Sequence, residues 1–205
     1  MFFAITVNLQ IRLTVLNFLS KARKVDVNRI WVNFNYISSL LDPSSIRVRC
    51  GVWNRYDQQG QKSHQDRDVK YVSHHPQFSG LERVENDISL LHLKEEFKLD
   101  THLDTICLPQ LIDNREENYD KSDCVIMGWG KSNFYEKKGQ NALKQVNLPI
   151  VDNNQCQTLL RKTRLGPTFD LDESFLCAGG RRNADACTGD GGGPLVCAHK
   201  NDTSR

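Results

Sequence analysis

The sequence predicts an all-β fold made of short strands. Its apolar stretches are brief, and Gly, Pro, Asn or Asp separates most of them, a pattern typical of β-barrels and β-sandwiches. The chain has 205 residues, a length at which such a protein still forms one domain. Its 39% hydrophobic and 25% charged residues are ordinary globular usage, so it can bury a core.

The predicted elements follow one another along the chain with turn residues between them. One helix is predicted over residues 153–164, with Asp152 or Asn153 as its N-cap. The polar stretch 112–123 is expected to link two halves. The predicted strands are residues 46–54, 68–75, 88–93, 124–130, 143–151 and 194–197.

The amino-terminal stretch resembles a secretory signal peptide only loosely. Asn8, Gln10 and Arg12 interrupt what should be a continuous apolar segment. Apolar residues from Val7 to Val15 alternate with polar ones, which favours a strand.

The charge balance excludes several classes of partner. Lys and Arg number 27 against 25 Asp and Glu, a formal net charge of +2, and no basic run is dense enough to predict nucleic-acid or anionic-membrane binding. No stretch approaches the roughly 18 apolar residues of a transmembrane helix.

Seven cysteines favour disulfides formed in an oxidising compartment. They form no C-x-x-C pair, so a zinc site is a poor interpretation and no metal or cofactor is expected. Their wide and irregular spacing predicts a secreted protein. The odd count leaves at least one thiol without a partner in the chain. The cysteines lie at positions 50, 107, 124, 156, 177, 187 and 197.

The stretch "CTGDGGGPLVC" (187–197) is the most specific motif. It lacks the Lys and Ser or Thr of a phosphate-binding loop. Cys187 and Gly189 occupy places where a calcium loop needs oxygen ligands. A glycine run is usually only a turn, but this one holds Asp190 between cysteines. It therefore predicts a turn whose amides converge on developing negative charge.

Asp87 and the paired histidines are weaker signals. Asp87 opens the apolar run "ISLL" and, taken alone, is either a turn residue at a strand start or a catalytic carboxylate. His74 and His75 precede Pro76 in an extended turn, for which a structural role is the simpler interpretation.

Together these motifs resemble the trypsin-like serine proteases of the chymotrypsin fold. "NDISLL", "TICLP", "MGWG", "FLCAGG" and "CTGDGGGPLVC" occur in that family's order over roughly residues 43–197. More closely, "RVRCGVWN", "HQDRDV" and "RKTRLGPTFDLDESFLCAGG" resemble the arthropod clip-domain serine protease homologues, a group that includes phenoloxidase-activating factor 2-like and masquerade-like proteins. The resemblance implies a chymotrypsin-like double β-barrel.

The resemblance also assigns residues to functional positions. Asp87 matches the triad aspartate, and Gly191 stands where the family has its nucleophilic serine. Gly189, Asp190 and Gly191 match the oxyanion loop. Asp185 matches the aspartate at the floor of an Arg- or Lys-selective pocket, or is equally well a loop residue. The implied disulfides are Cys124–Cys197 and Cys156–Cys177, which leave Cys50, Cys107 and Cys187 without assigned partners.

Several family features are missing. No histidine precedes His64, so the base position is empty, and the first glycine is Gly51, so no family-type amino terminus can pair with Asp190. Residues 1–42 resemble nothing in the family. We therefore expect residues 43–205 to form a partial domain, incomplete at both ends, and Asp190 to lack an ionic partner.

Two function classes remain. The favoured one is a non-catalytic, secreted homologue that acts as an adaptor or cofactor in an extracellular protease cascade such as prophenoloxidase activation. Its partner is then prophenoloxidase or its activating protease, and neither nucleic acid nor membrane is involved. The alternative is a trypsin-like endopeptidase represented by a faulty or truncated gene model. A third interpretation, a non-functional gene fragment, also stays open.

Overall fold

The structure is a computed structural model, and it describes only part of the chain. The described residues are 13–14, 29–32, 42–55, 64–80, 82–105, 119–181 and 184–199. Within them, strands dominate and the only α-helix is Asn153–Leu160 (α1). The all-β class that the sequence predicts is therefore confirmed.

Most strands are short, as predicted, but two have ten residues each. In chain order they are β1 Leu13–Thr14, β2 Arg29–Val32, β3 Arg47–Cys50, β4 Gln65–His74, β5 Ser89–Leu93, β6 Tyr119–Gly128, β7 Lys144–Leu148, β8 Ile150–Val151, β9 Cys177–Ala178 and β10 Leu195–His199.

The first lobe is a sheet in the order β1-β3-β4-β5-β2. Its pairs are antiparallel except that β1 runs parallel to β3. Val48, Val69 and Leu91 are fully buried because alternate residues of β3, β4 and β5 face one side. Strands β1 and β2 come from the segment that the sequence leaves unassigned, and the rest of the predicted strand from Val7 to Val15 lies outside the described residues.

The second lobe contains a sheet in the order β10-β6-β7 and the pair β8-β9. Pro149, which cannot donate a ladder hydrogen bond, separates β7 from β8 and divides the predicted strand 143–151 in two. The predicted linker 112–123 is wrong at its end, because β6 begins at Tyr119. Residues 112–118 lie outside the described residues.

Helix α1 begins where the sequence predicts. The Asp152 carboxylate accepts hydrogen bonds from the amides of Asn154 and Gln155, at 2.9 and 3.2 Å, so it is the N-cap. The helix ends at Leu160, earlier than predicted, and turns follow. Its inner face buries Cys156 and Leu160 against Cys177.

The two lobes meet along the backbone of residues 53–55. The Trp53 carbonyl accepts hydrogen bonds from Trp129 Nε1 at 3.1 Å and from the Leu143 amide at 2.6 Å. The Arg55 amide donates to the Asn141 carbonyl at 2.9 Å. These bonds fix the position of the loop between β6 and β7 relative to the first lobe.

Candidate functional site

The glycine-rich stretch forms a compact turn before β10. The Asp190 amide donates to the Cys187 carbonyl at 3.0 Å, and the Gly193 amide donates to the Asp190 carbonyl at 3.0 Å. Gly189 has φ +97°, a conformation that side chains disfavour. The structure thus places Gly189, Asp190 and Gly191 together in one turn.

The Asp190 side chain points into the second lobe, toward the end of β6. Its Oδ1 accepts from the Gly130 amide at 2.7 Å and its Oδ2 from the Cys187 amide at 2.9 Å. We expected this carboxylate to lack an ionic partner, and the two groups that hold it are neutral backbone amides. Two backbone donors replace the ammonium group that the resemblance implies, and a carboxylate held by amide donors is well stabilised.

The glycines of "MGWG" make room for this carboxylate. A Cβ atom at Gly128 would lie 2.0 Å from Asp190 Oδ1, and one at Gly130 would lie 2.5 Å from the same atom. Any side chain at either position would displace Asp190. The glycines of "MGWG" were therefore a signal in the sequence for this close contact. The sequence analysis used them only as landmarks of the resemblance and did not connect them with Asp190.

Gly191 is half-buried beside Asp190 and has no side-chain atom. Its role as the former nucleophile position stays a prediction from the motif. The turn is also joined to the β6–β7 loop, because the Lys131 amide donates to the Thr188 carbonyl at 2.9 Å. The geometry around Gly191 is therefore that of an ordered turn with no nucleophilic atom at its centre.

The two other carboxylates assigned from the resemblance, Asp87 and Asp185, belong to different lobes and differ in exposure. Asp185 is exposed in the segment before Cys187, and partial desolvation of its carboxylate raises its pKa. Asp87 lies half-buried in the first lobe, in the turn before β5. The adjacent Asn86 has φ +55°, and its amide donates to Ser174 Oγ of the second lobe at 3.1 Å.

Four histidines of the first lobe are engaged by neighbours in that lobe. His74 Nδ1 lies 3.1 Å from Ser89 Oγ, and His92 Nε2 lies 3.1 Å from Ser73 Oγ. His75 Nδ1 accepts from the Gln77 amide at 3.2 Å. His102 Nδ1 lies 3.6 Å from Asp100 Oδ2. These contacts support local structural roles for the four imidazoles.

The cysteines divide into bonded and free thiols. The structure contains Cys124–Cys197 and Cys156–Cys177, the two pairs that the resemblance implies. Cys50 is a buried free thiol whose desolvation raises its pKa to about 12, and Cys187 is a half-buried free thiol. Cys107 lies outside the described residues.

The described part of the chain offers neither a metal cluster nor a membrane-spanning helix. Among those residues, no three His, Cys, Asp or Glu side chains are grouped so that they could hold a metal ion. No helix there has the length and apolar character needed to cross a membrane.

Comparison with known proteins identifies related sequences. A family model described as Trypsin matches residues 37–203. Phenoloxidase-activating factor 2 of Galleria mellonella is 41% identical over 154 residues, which are 75% of this chain and 50% of that protein. An inactive CLIP domain-containing serine protease of Anopheles gambiae is 38% identical over 156 residues, 76% of this chain and 39% of that protein. Clotting factor C of Tachypleus tridentatus is 31% identical over 177 residues, 85% of this chain and 17% of that protein. The chain thus spans half or less of the length of these relatives.

Proposed function

Because the chain belongs to the trypsin family of serine proteases, we propose that it is a non-catalytic member that acts by binding other proteins. The predicted resemblance to arthropod clip-domain serine protease homologues and the predicted chymotrypsin-like all-β fold are both confirmed by these matches. One observation carries the proposal. The ordered turn of residues 187–193 has a glycine at residue 191, the position that its motif assigns to the nucleophile.

Peptide hydrolysis in this family requires an oxygen at that position. A histidine removes the proton from a serine hydroxyl, and a carboxylate orients the histidine. Glycine offers no oxygen, and loss of the nucleophile in a characterised protease lowers turnover by about a millionfold. With Gly191 in place, Asp87 and Asp185 are relics of a triad and a specificity pocket in this proposal.

The turn nevertheless keeps its folded shape. Asp190 is held by the amides of Gly130 and Cys187, so the turn needs neither a serine nor a new amino terminus to stay ordered. A fold that is retained without its nucleophile is suited to binding rather than to turnover.

The names of the relatives support the setting of this activity. One relative is named as a phenoloxidase-activating factor and three as inactive CLIP domain-containing serine proteases. We accordingly place the chain in an extracellular cascade, as an adaptor or cofactor of prophenoloxidase or of its activating protease. The two disulfides support an oxidising compartment and hence secretion.

A reconstituted activation assay tests the proposal. Purified chain is added to prophenoloxidase and its activating protease, and phenoloxidase activity is measured. We expect the activity to rise with added chain, while the chain itself stays unlabelled by a fluorophosphonate serine probe. The Gly191→Ser variant is the matched control and should stimulate equally, because stimulation in this proposal depends on binding and not on the atom present at residue 191. Probe labelling of the parent chain, or no stimulation by it, would reject the proposed function.

A further inference from the structure

The loop between β6 and β7, residues 131–140, is here called the aromatic loop. Its base is closed by the Gln140 amide, which donates to the Trp129 carbonyl at 2.8 Å. On its other side the Lys131 amide donates to the Thr188 carbonyl, next to the Gly189–Gly191 turn. The loop is therefore anchored at both ends, and its Lys131 end lies beside the Gly189–Gly191 turn.

Hydrogen bonds inside the aromatic loop hold one conformation. Asn133 Oδ1 accepts from the amides of Tyr135 and Glu136 at 3.0 and 3.1 Å. The Glu136 carboxylate accepts from the Ser132 amide at 2.8 Å and from Gln140 Nε2 at 2.6 Å. The loop is ordered before any partner arrives, which lowers the entropic cost of binding.

Two aromatic side chains occupy the tip of this ordered loop. Phe134 is 74% exposed and Tyr135 is 95% exposed. Rigid aromatic groups of this kind are the side chains most often found at the energetic centre of protein interfaces. Nothing in the fold of the loop requires them, because Asn133 and Glu136 make its internal bonds.

The charged side chains of the aromatic loop itself are mostly positive. The only acidic side chain of the aromatic loop, Glu136, is directed inward to the loop's own donors. The basic side chains of the loop and of the first residue of β7 are Lys131, Lys137, Lys138 and Lys144. These lysines favour a partner that carries negative charge around its apolar contact with Phe134 and Tyr135.

A second aromatic group lies at the base of the loop. Trp53 is 55% exposed, and its carbonyl binds Trp129 Nε1 and the Leu143 amide on either side of the loop. Arg55 is tied to the same base through Asn141. The tip and the base together present aromatic and basic side chains from two lobes.

We propose that the aromatic loop, with Trp53 and Arg55, is a docking surface for an acidic segment of a partner protein that carries apolar side chains. The inference rests on the proposed function in one respect, since a domain without turnover acts through what it binds. A protein segment is favoured over an anionic membrane because the aromatic groups lie at both the tip and the base.

Direct binding of a defined probe tests the proposal. The probe is a short fluorescein-labelled peptide that alternates Glu with Leu and Phe, and its anisotropy is followed on titration with the full chain at low and at high salt. We expect saturable binding that weakens with salt. Phe134→Ala with Tyr135→Ala should weaken it about tenfold or more, and Trp53→Ala should weaken it severalfold. Lys137→Glu with Lys138→Glu should reduce binding mainly at low salt.

Matched variants elsewhere on the surface control for general stickiness. Leu176→Ala removes another exposed apolar side chain and Lys162→Glu reverses another exposed lysine, and both should bind the peptide as the parent does. Circular dichroism checks that each variant is folded. The peptide-binding assay needs no cascade component. A failure of this docking proposal is therefore distinguishable from a failure of the proposed function, which the stimulation assay tests.

Three outcomes would overturn the proposal. One is the absence of saturable peptide binding, or equal loss in the control variants. Another is tip-dependent binding to phosphatidylcholine–phosphatidylserine vesicles without peptide binding, which would assign the loop to a membrane. The third is concentration-dependent sedimentation of the parent that is lost in the Phe134→Ala, Tyr135→Ala variant, which would assign the surface to a second copy of the chain.

Discussion

The Asp190 carboxylate accepts a hydrogen bond of 2.7 Å from the amide of Gly130, 60 residues earlier in the chain. The bond joins the turn around Gly191 to the end of β6. It forms only because residue 130 has no side chain, since a Cβ there would lie 2.5 Å from Asp190 Oδ1. The order of the turn around Gly191 therefore depends on a distant glycine and a backbone donor.

Replacing Asp190 with Asn should destabilise the chain by about 1–3 kcal/mol. The Asn side chain would keep one acceptor oxygen. Its NH₂ group would face one of the two backbone donors, the amides of Gly130 and Cys187, and leave that donor without an acceptor. Urea unfolding of the variant and the parent measures the difference. Asp170→Asn, at an exposed position, is the control and should change stability by no more than about 0.5 kcal/mol. Equal effects of the two changes would contradict the role given to Asp190.

The sequence predicts the strands better than it predicts the contacts between them. The apolar run "ISLLHL" predicts β5, and Pro149 explains in retrospect why one predicted strand became two. The start of β6 at Tyr119 was missed because residues 119–123 are polar and resemble a loop. This end of β6 is paired through Tyr119, which lies opposite His199 of β10, and such pairing is tertiary information.

The candidate site was predicted unevenly for a similar reason. Motif spacing singled out Gly189, Asp190 and Gly191, and the structure brings them into one turn. The partners of Asp190 were missed because they are backbone amides, which every residue type except proline carries. The aromatic loop was missed because Phe134 and Tyr135 have no periodic pattern, and only the structure shows that they are exposed.

The two described free thiols should react at different rates. Cys50 is 4% exposed and its pKa is raised to about 12 by desolvation, so almost no thiolate is present near neutral pH. Cys187 is half-buried at the edge of the turn and should be alkylated first. Iodoacetamide labelling of the folded chain, followed by peptide mass spectrometry, measures both rates. Labelling of Cys50 at the rate of Cys187 without denaturant would show this prediction to be wrong.

The paired charges of β3 and β4 should make stability depend on pH. Arg49 Nε and Nη2 donate to the two Asp66 oxygens at 2.6 Å each, and these bonds lower the pKa of Asp66. Because the pKa of Asp66 is lower in the folded chain than in the unfolded one, its carboxylate stabilises the fold. This stabilisation is fully present at pH values above the unfolded pKa near 3.9, and it is lost as pH falls through the folded pKa. The pair is partly exposed, so Asp66→Asn should cost about 1 kcal/mol near neutral pH.

The difference between parent and Asp66→Asn should shrink toward zero in acid, where Asp66 is protonated in both states of the parent. Urea unfolding at neutral and acidic pH measures it. Glu82→Gln, at an exposed position of the same lobe, is the matched control and should show a small difference at each pH. A difference for Asp66→Asn that stays constant with pH would exclude the Arg49 contact as its cause.

Non-reducing peptide mapping should recover the two disulfides of the second lobe. Cys124 lies directly opposite Cys197 in the β6–β10 register, and Cys156 and Cys177 are buried together beside Leu160. Replacing both Cys156 and Cys177 with Ala should cost about 3 kcal/mol, because the bond closes a loop in the unfolded chain. Recovery of a Cys187–Cys197 peptide would contradict the pairing.

Replacing Gly191 with Ser should not create a protease in this chain. A serine hydroxyl attacks a peptide only when a histidine removes its proton, and members of a triad act as a unit. His74 and His92 are engaged by Ser89 and Ser73 of the first lobe, and the new hydroxyl would keep its ordinary, weak nucleophilicity. Turnover of a chromogenic Arg ester by Gly191→Ser should therefore equal that of the parent, with active trypsin as the positive control. Saturable hydrolysis that depends on the introduced serine would mean that the chain supplies a base, and the non-catalytic assignment would then depend on Gly191 alone.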